Sequence, residues 1–208
     1  MSAWNGWYHC TGSTYGAWLR GDERGWRSRR HHEHVDGDYT QPPPKGRYAR
    51  EYEESNRLMK RQRVVLTPEQ RAVACREFVC ALIKREVEVT AICVGAKHWH
   101  GMLRFRDPVK HRGQNRDAQR LIGQAKGKCS REMSRANVVT PGGVWAARCR
   151  VRPIKNEHHY KNVSRYIPDH AKKGAAIYLH AAIPAKPGAL APGLPANDPC
   201  ASPTSSRA

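Results

Sequence analysis

The sequence predicts an α+β domain, an antiparallel β-sheet with helices packed on it. Three observations lead to that expectation. Strand-like and helix-like segments follow one another in the order β, β-α-β-β-α-β-α-β, which suits a mixed sheet-and-helix layer. Val87–Val94 and His98–Phe105, parted by Gly95 and Ala96, read as a β-hairpin. Thr67-Pro68-Glu69-Gln70 is a strong helix start, with Thr as N-cap, Pro at the first helical position and Gln70 closing a capping box.

Trp4–Thr11 combines aromatics and β-formers and predicts a first strand, ended by Gly12. From Gly16 to about Lys45 the chain is rich in Gly, Arg, His and Asp and closes on Pro42, Pro43 and Pro44. Residues 16–62 are therefore expected to be a basic, largely irregular insertion, with a short charged helix over Glu51–Arg61. Arg63–Leu66 predicts a brief strand. The helix from Thr67 buries Val73, Phe78, Leu82 and Ile83 and fades near Glu86.

Beyond the hairpin, Asp107 and Pro108 end the strand, and Asn115–Ala136 predicts a basic helix interrupted by Gly123 and Gly127. Pro141, Gly142 and Gly143 turn the chain into a strand over Val144–Val151, with Arg148, Arg150 and Arg152 on one face. Asn156 caps a helix through Tyr166, and Gly174–His180 reads as a last strand. Residues 1–181 are expected to form one domain, and 182–208 a disordered Pro/Ala/Ser-rich tail.

Thirty-seven Lys and Arg against 18 Asp and Glu give a formal net charge of +19. Residues 63–181 hold 24 of those basic side chains and only 9 of the acidic ones, so the excess lies in the part expected to fold. Such a surplus draws polyanions, because each neutralised phosphate releases condensed counterions. A solvated basic surface is the alternative reading. Seven cysteines, odd in number and without zinc-knuckle spacing, read as reduced thiols buried as small hydrophobes. The absence of a secretory pattern or a membrane-length apolar run predicts a soluble, cytoplasmic protein without membrane contact.

The chemistry-bearing residues fall in two short segments. In Lys97-His98-Trp99-His100-Gly101-Met102, strand alternation turns His98 and His100 to one face and Trp99 to the other, making a pair of nitrogen ligands for a divalent ion. In Arg165-Tyr166-Ile167-Pro168-Asp169-His170, helical spacing puts Tyr166 and His170 on one face. Tyr166 then offers a nucleophile and His170 a third ligand, since an unassisted phenol is a weak nucleophile at neutral pH. The alternative makes Tyr166 and Ile167 core residues and His170 a surface residue. Pro168 sets a further expectation: the helix breaks after Ile167, or a bend aims His170.

A His-hydrophobe-His strand followed some sixty-five residues later by Tyr-Ile-x-x-His on a helix resembles the HUH nuclease superfamily, in particular the single-tyrosine transposases of bacterial insertion sequences and their REP-associated relatives. The basic helix after the His strand and Gly142-Gly143-Val144-Trp145 also match, and the resemblance spans roughly Val64 to Tyr178. It implies a ferredoxin/RRM-like sheet and a nucleoid-associated enzyme. In that reading His98, His100 and His170 bind Mg²⁺ or Mn²⁺, and Tyr166 attacks a DNA phosphate to leave a 5′-phosphotyrosine bond. The implied partner is single-stranded DNA, at hairpin-containing element ends, and a homodimer stays open. Three histidines suit Mn²⁺ or Zn²⁺ better than Mg²⁺, which prefers oxygen.

Arg104, Arg106, Lys110, Arg112, Arg116, Arg120, Lys126 and Lys128 follow the His strand and are candidates to line a phosphate groove. Trp4, Trp7, Trp18 and Trp26 are candidates to stack on bases, and His31, His32 and His34 read as a polar loop rather than a second metal site. Other readings are a replication initiator or relaxase, a domesticated REP-associated transposase, a non-catalytic nucleic-acid-binding module, and an inactive transposon remnant. The chain has no phosphate-binding Gly-Lys-Ser/Thr loop to support a linked helicase.

Overall fold

The β-branched run and the capping box act locally as their sequences predict. Thr67 accepts from the Gln70 backbone N–H while the Gln70 side chain reaches back to the Thr67 N–H, and Pro68 opens the helix. In the computed structural model, which describes residues 6–26, 34–37, 41–105, 110–111 and 114–180, the elements are β1 (Trp7–Thr14), α1 (Ala49–Arg57), α2 (Pro68–Ile83), β2 (Glu88–Val94), β3 (His98–Arg104), β4 (Lys110–His111), β5 (Gln114–Asn115), α3 (Arg116–Arg135), β6 (Trp145–Pro153), α4 (Glu157–Asp169) and β7 (Ala176–Leu179). A single 3₁₀ turn, His170–Lys173, joins α4 to the last strand. The expected tail, Trp4, His31, His32, Arg106 and Arg112 lie outside the described residues.

The fold is α+β. Its main sheet has the order β6-β1-β3-β2-β7 with every neighbouring pair antiparallel. The succession β1-α2-β2-β3-α3-β6 on this order is the ferredoxin-like β-α-β-β-α-β arrangement, with β7 added along β2. Each face of the sheet has its own core. On one, α2 and α3 cover Tyr8, Cys10, Ile92, Val94, Trp99 and Leu103, and α3 contributes Ala118, Ile122, Ala125, Cys129 and Met133 at helical spacing. On the other, α4 sets Tyr160, Val163 and Ile167 on Trp7, Ala91, Cys93 and Met102. None of the six described cysteines is in a disulfide, and most are buried in this apolar packing.

Several elements differ from expectation. Gly12 does not end β1: the strand continues to Thr14, and the glycine is where it crosses the Trp99 indole. A Cβ at residue 12 would lie 2.4 Å from Trp99 Nε1. Gly12→Ala is therefore expected to lower folding stability by about 1–3 kcal/mol, because the indole is held by the core and cannot yield without strain. An unchanged denaturation midpoint in urea would contradict this.

Arg63–Leu66 is extended but joins no sheet. The Val64 N–H donates to the Tyr15 carbonyl (3.0 Å) and the Leu66 N–H to the Ala96 carbonyl (2.9 Å), while the sheet's edges belong to β6 and β7. The α3 helix runs unbroken through Gly123 and Gly127. Pro168 does not break α4 after Ile167; it sits in the last helical turn, which tightens into the 3₁₀ turn and stops at Gly174 in the left-handed conformation. The small β4–β5 ribbon was not anticipated. Among its described residues the insertion has one helix, α1, and is tied down: Trp26 and Val35 are buried, and the Arg61 guanidinium lies 3.9 Å over the Tyr15 ring.

Candidate metal centre and its tyrosine

Strand alternation decides where the β3 histidines point. Trp99 turns into the α2–α3 core, edge-on to Phe78 at 4.9 Å between ring centroids, which commits His98 and His100 to the face that carries α4. The β2–β3 turn closes with the Gly95 N–H donating to the His98 carbonyl at 2.8 Å. Opposite them, α4 starts on Asn156, whose side chain accepts from the His159 N–H at 2.9 Å. Burial of Tyr160, Val163 and Ile167 fixes its rotation. The C-terminal end of α4 thereby comes down over His98 and His100.

There the side chains of His98, His100 and His170 converge, each with a ring nitrogen within 4.8 Å of the others'. Bonds of about 2.0–2.2 Å to a shared ion span at most about 4.4 Å between ligands, so shifts of a few tenths of an ångström bring all three into reach. His98 is exposed, His100 half-buried and His170 buried. Tightening of the α4 end leaves the Tyr166 carbonyl to the His170 ring, whose Nδ1–H donates to it at 2.9 Å. That bond fixes the tautomer and leaves Nε2 available to an ion. Tyr166 is 46% exposed, and its ring lies edge-on to His170 at 4.6 Å and to His100 at 5.1 Å.

A fourth imidazole, His9, completes the group. It projects from β1 beside β3, its Nε2 is 3.3 Å from His100 Nδ1, and its ring stacks on that of His100 at 5.5 Å. It also meets the Tyr166 ring at 6.2 Å. With His100 Nδ1 facing His9, His100 Nε2 is the nitrogen left available to an ion. Sequence reasoning missed this residue. The only signal was an imidazole inside the β-forming run Trp7-Tyr8-His9-Cys10.

Burial holds His9, His98 and His100 below the usual histidine range, with repulsion from neighbouring basic groups adding to it. His100 is pushed down to about 3, by burial first and then by His170, His9 and His98. His9 falls to about 4 through burial, His159, Arg152, Arg150 and His170, and His98 is also lowered, mainly by burial. A neutral imidazole is the ligand form, so the lowered values suit His98 and His100 to a divalent ion at neutral pH. Nitrogen-only donors favour Mn²⁺ over Mg²⁺.

Those shifts carry a stability consequence. Unfolded histidines take up protons near pH 6.5, whereas folded His100 and His9 resist until about 3 and 4. Between those limits the unfolded chain binds more protons, so acid favours unfolding. The metal-free protein is expected to lose thermal stability steadily as pH falls from about 6.5 to about 4. A melting temperature in chelator that stays level across that range would contradict it.

Of the basic residues expected to line a groove, the four with described side chains, Arg104, Arg120, Lys126 and Lys128, do not gather in one place. Lys126 is buried, with its ammonium donating to the Ala146, Ala147 and Arg148 carbonyls of β6. Lys128 pairs with Glu132 at 2.5 Å and Arg120 with Asp117 at 3.6 Å, both on α3, across the sheet from the histidines. Arg104 does share the histidines' face, but at the far end of β3, 3.4 Å from Glu88 and against the Trp7 ring. Lys110 lies in β4 and Arg116 opens α3. Trp7 and Trp26 are buried; Trp18 is exposed with Arg24 packed on its ring. Among the described residues no helix is long and apolar enough to cross a membrane.

No protein-family model matches the sequence, and no curated protein matches it. One solved structure to which the chain is similar is that of a REP-associated tyrosine transposase bound to a REP hairpin. The likeness covers 81% of this chain and 68% of that one, at 15% sequence identity and a TM-score of 0.39, and it stands as a likeness only.

Proposed function

We propose that the chain is a transposase-type strand transferase that cuts and rejoins single-stranded DNA, with Tyr166 as nucleophile and His98, His100 and His170 as ligands of a divalent ion, Mn²⁺ or Mg²⁺. The observation that carries this reading is the packing of a half-exposed tyrosine edge-on against His100 and His170, two members of a three-histidine cluster. The His-x-His and Tyr-Ile-x-x-His motifs that prompted the resemblance to single-tyrosine HUH transposases are the same residues.

In the reaction, the Tyr166 phenol oxygen attacks a backbone phosphorus. A phosphorus–oxygen bond forms on the tyrosine as the bond to the 3′ oxygen breaks; the phenol gives up its proton to solvent and the departing oxygen takes one up. The products are a 5′-phosphotyrosine link and a free 3′-hydroxyl. Attack by another 3′-hydroxyl reverses these steps and rejoins DNA without ATP, because the phosphodiester energy is kept in the covalent link. When bound, the ion would supply Lewis-acid stabilisation of charge on the scissile phosphate. His170, anchored through Nδ1 to the Tyr166 carbonyl, ties the nucleophile's position to the ligand set.

The test mixes purified protein with single strands from the DNA flanking its own gene, in Mn²⁺, and resolves the products on a denaturing gel. A metal-dependent, DNA-linked protein band is the expected outcome. Salt-sensitive binding with no adduct on any strand would overturn the reading in favour of a binding module.

A further inference from the structure

The sheet face that carries the histidines continues beyond α4. The α4 helix lies chiefly over β2, β3 and β7, and it meets β1 at Trp7, whose ring Tyr160 touches edge-on. Directly opposite residues of an antiparallel pair share a face, so the register aligns Arg150 with Thr11 and Thr11 with His100, and likewise Arg152 with His9 and His9 with Met102. Arg150 therefore stands two strands, about 10 Å, from His100 on the same face. Arg148, Arg150 and Arg152 alternate with half-buried Cys149 and Val151, and all three arginines are exposed. Their spacing along the strand is about 7 Å. Between them and the imidazoles run His9, Thr11 and Ser13, all partly exposed.

We propose that the exposed β6 arginines Arg150 and Arg152, with Arg148 beside them, form a phosphate lane that holds the stretch of the single strand adjoining the phosphate cut at Tyr166. The inference rests on the strand-transferase reading for its substrate and adds the surface that grips it. A single strand fits this surface: a phosphate at Tyr166 leaves its neighbours to cross β1 and meet the guanidinium row. Arginine there binds through charge and paired N–H donors, which carries no base preference. The α3 cations lie on the other side of the sheet and have no part in the lane.

The experiment measures binding of a fluorescein-labelled oligothymidylate to the full chain by anisotropy, in chelator, across a salt series. R150A/R152A is expected to weaken binding roughly tenfold and to lower the slope of log K against log salt by about 1.4. R150K/R152K, which keeps the charge, should stay within about threefold of the parent. R131A/R135A on α3 should change binding less than twofold, and melting temperatures establish that each variant folds. Equal losses from the β6 and α3 pairs, or no loss from R150A/R152A, would overturn the lane. So would duplex DNA bound as tightly and with the same arginine dependence. Because the assay needs neither metal nor cleavage, its failure is separable from that of the function: adducts without arginine-dependent binding remove the lane alone, and the converse removes only the chemistry.

Discussion

Tyr166→Phe is expected to abolish the covalent protein–DNA adduct and to reduce strand cleavage by roughly 10⁴-fold or more, the usual consequence of deleting a catalytic nucleophile. The substitution isolates one oxygen atom. Phenylalanine keeps the ring that lies against His100 and His170, and a position 46% exposed tolerates loss of a hydroxyl. Folding and metal binding should therefore be unchanged while the chemistry disappears. The chain has eight tyrosines, so an adduct alone would not identify the nucleophile. Tyr48→Phe, in the insertion, serves as the control and should retain activity. If the adduct persisted in Tyr166→Phe and mass spectrometry placed DNA on another tyrosine, the assignment would fall even with the enzyme class intact.

The parts of this molecule that were legible in the sequence are those set by short-range rules. The Thr67 capping box, the β2–β3 hairpin and the stripes of α2 follow from patterns spanning a few residues, and so does the divergence of Trp99 from His98 and His100. Helical spacing likewise put Tyr166 and His170 on one face. What remained hidden depends on which strand pairs with which. Nothing near His9 indicates that β1 lies between β3 and β6, yet that order alone brings its ring to His100. Lys126 looked like a groove cation because its charge is visible in sequence; its three bonds to β6 carbonyls are not. Gly12 read as a strand terminator for the same reason, since the indole that requires a glycine there comes from residue 99. Pro168 was read by its usual effect on a helix interior, but near a C-terminus it loses little and helps the turn tighten over His170.

The imidazole cluster yields the second large effect. His100→Ala is expected to weaken Mn²⁺ binding by roughly 100-fold or more, since it removes one of the three proposed ligands and also the partner of His9. His9→Ala should weaken it less, by about 10–100-fold, as expected of a residue that orients a ligand without touching the ion. The two effects should not add, because without His100 the His9 ring has nothing to orient. The double variant should therefore bind Mn²⁺ no more weakly than His100→Ala, which calorimetry or electron paramagnetic resonance would measure. Additive losses would make His9 a ligand in its own right. The donor set also ranks the ions: three neutral nitrogens should bind Mn²⁺ more tightly than Mg²⁺. Equal affinities would mean that oxygen donors, rather than His98, His100 and His170, dominate the site, and in that case His100→Ala should leave Mg²⁺ binding nearly untouched.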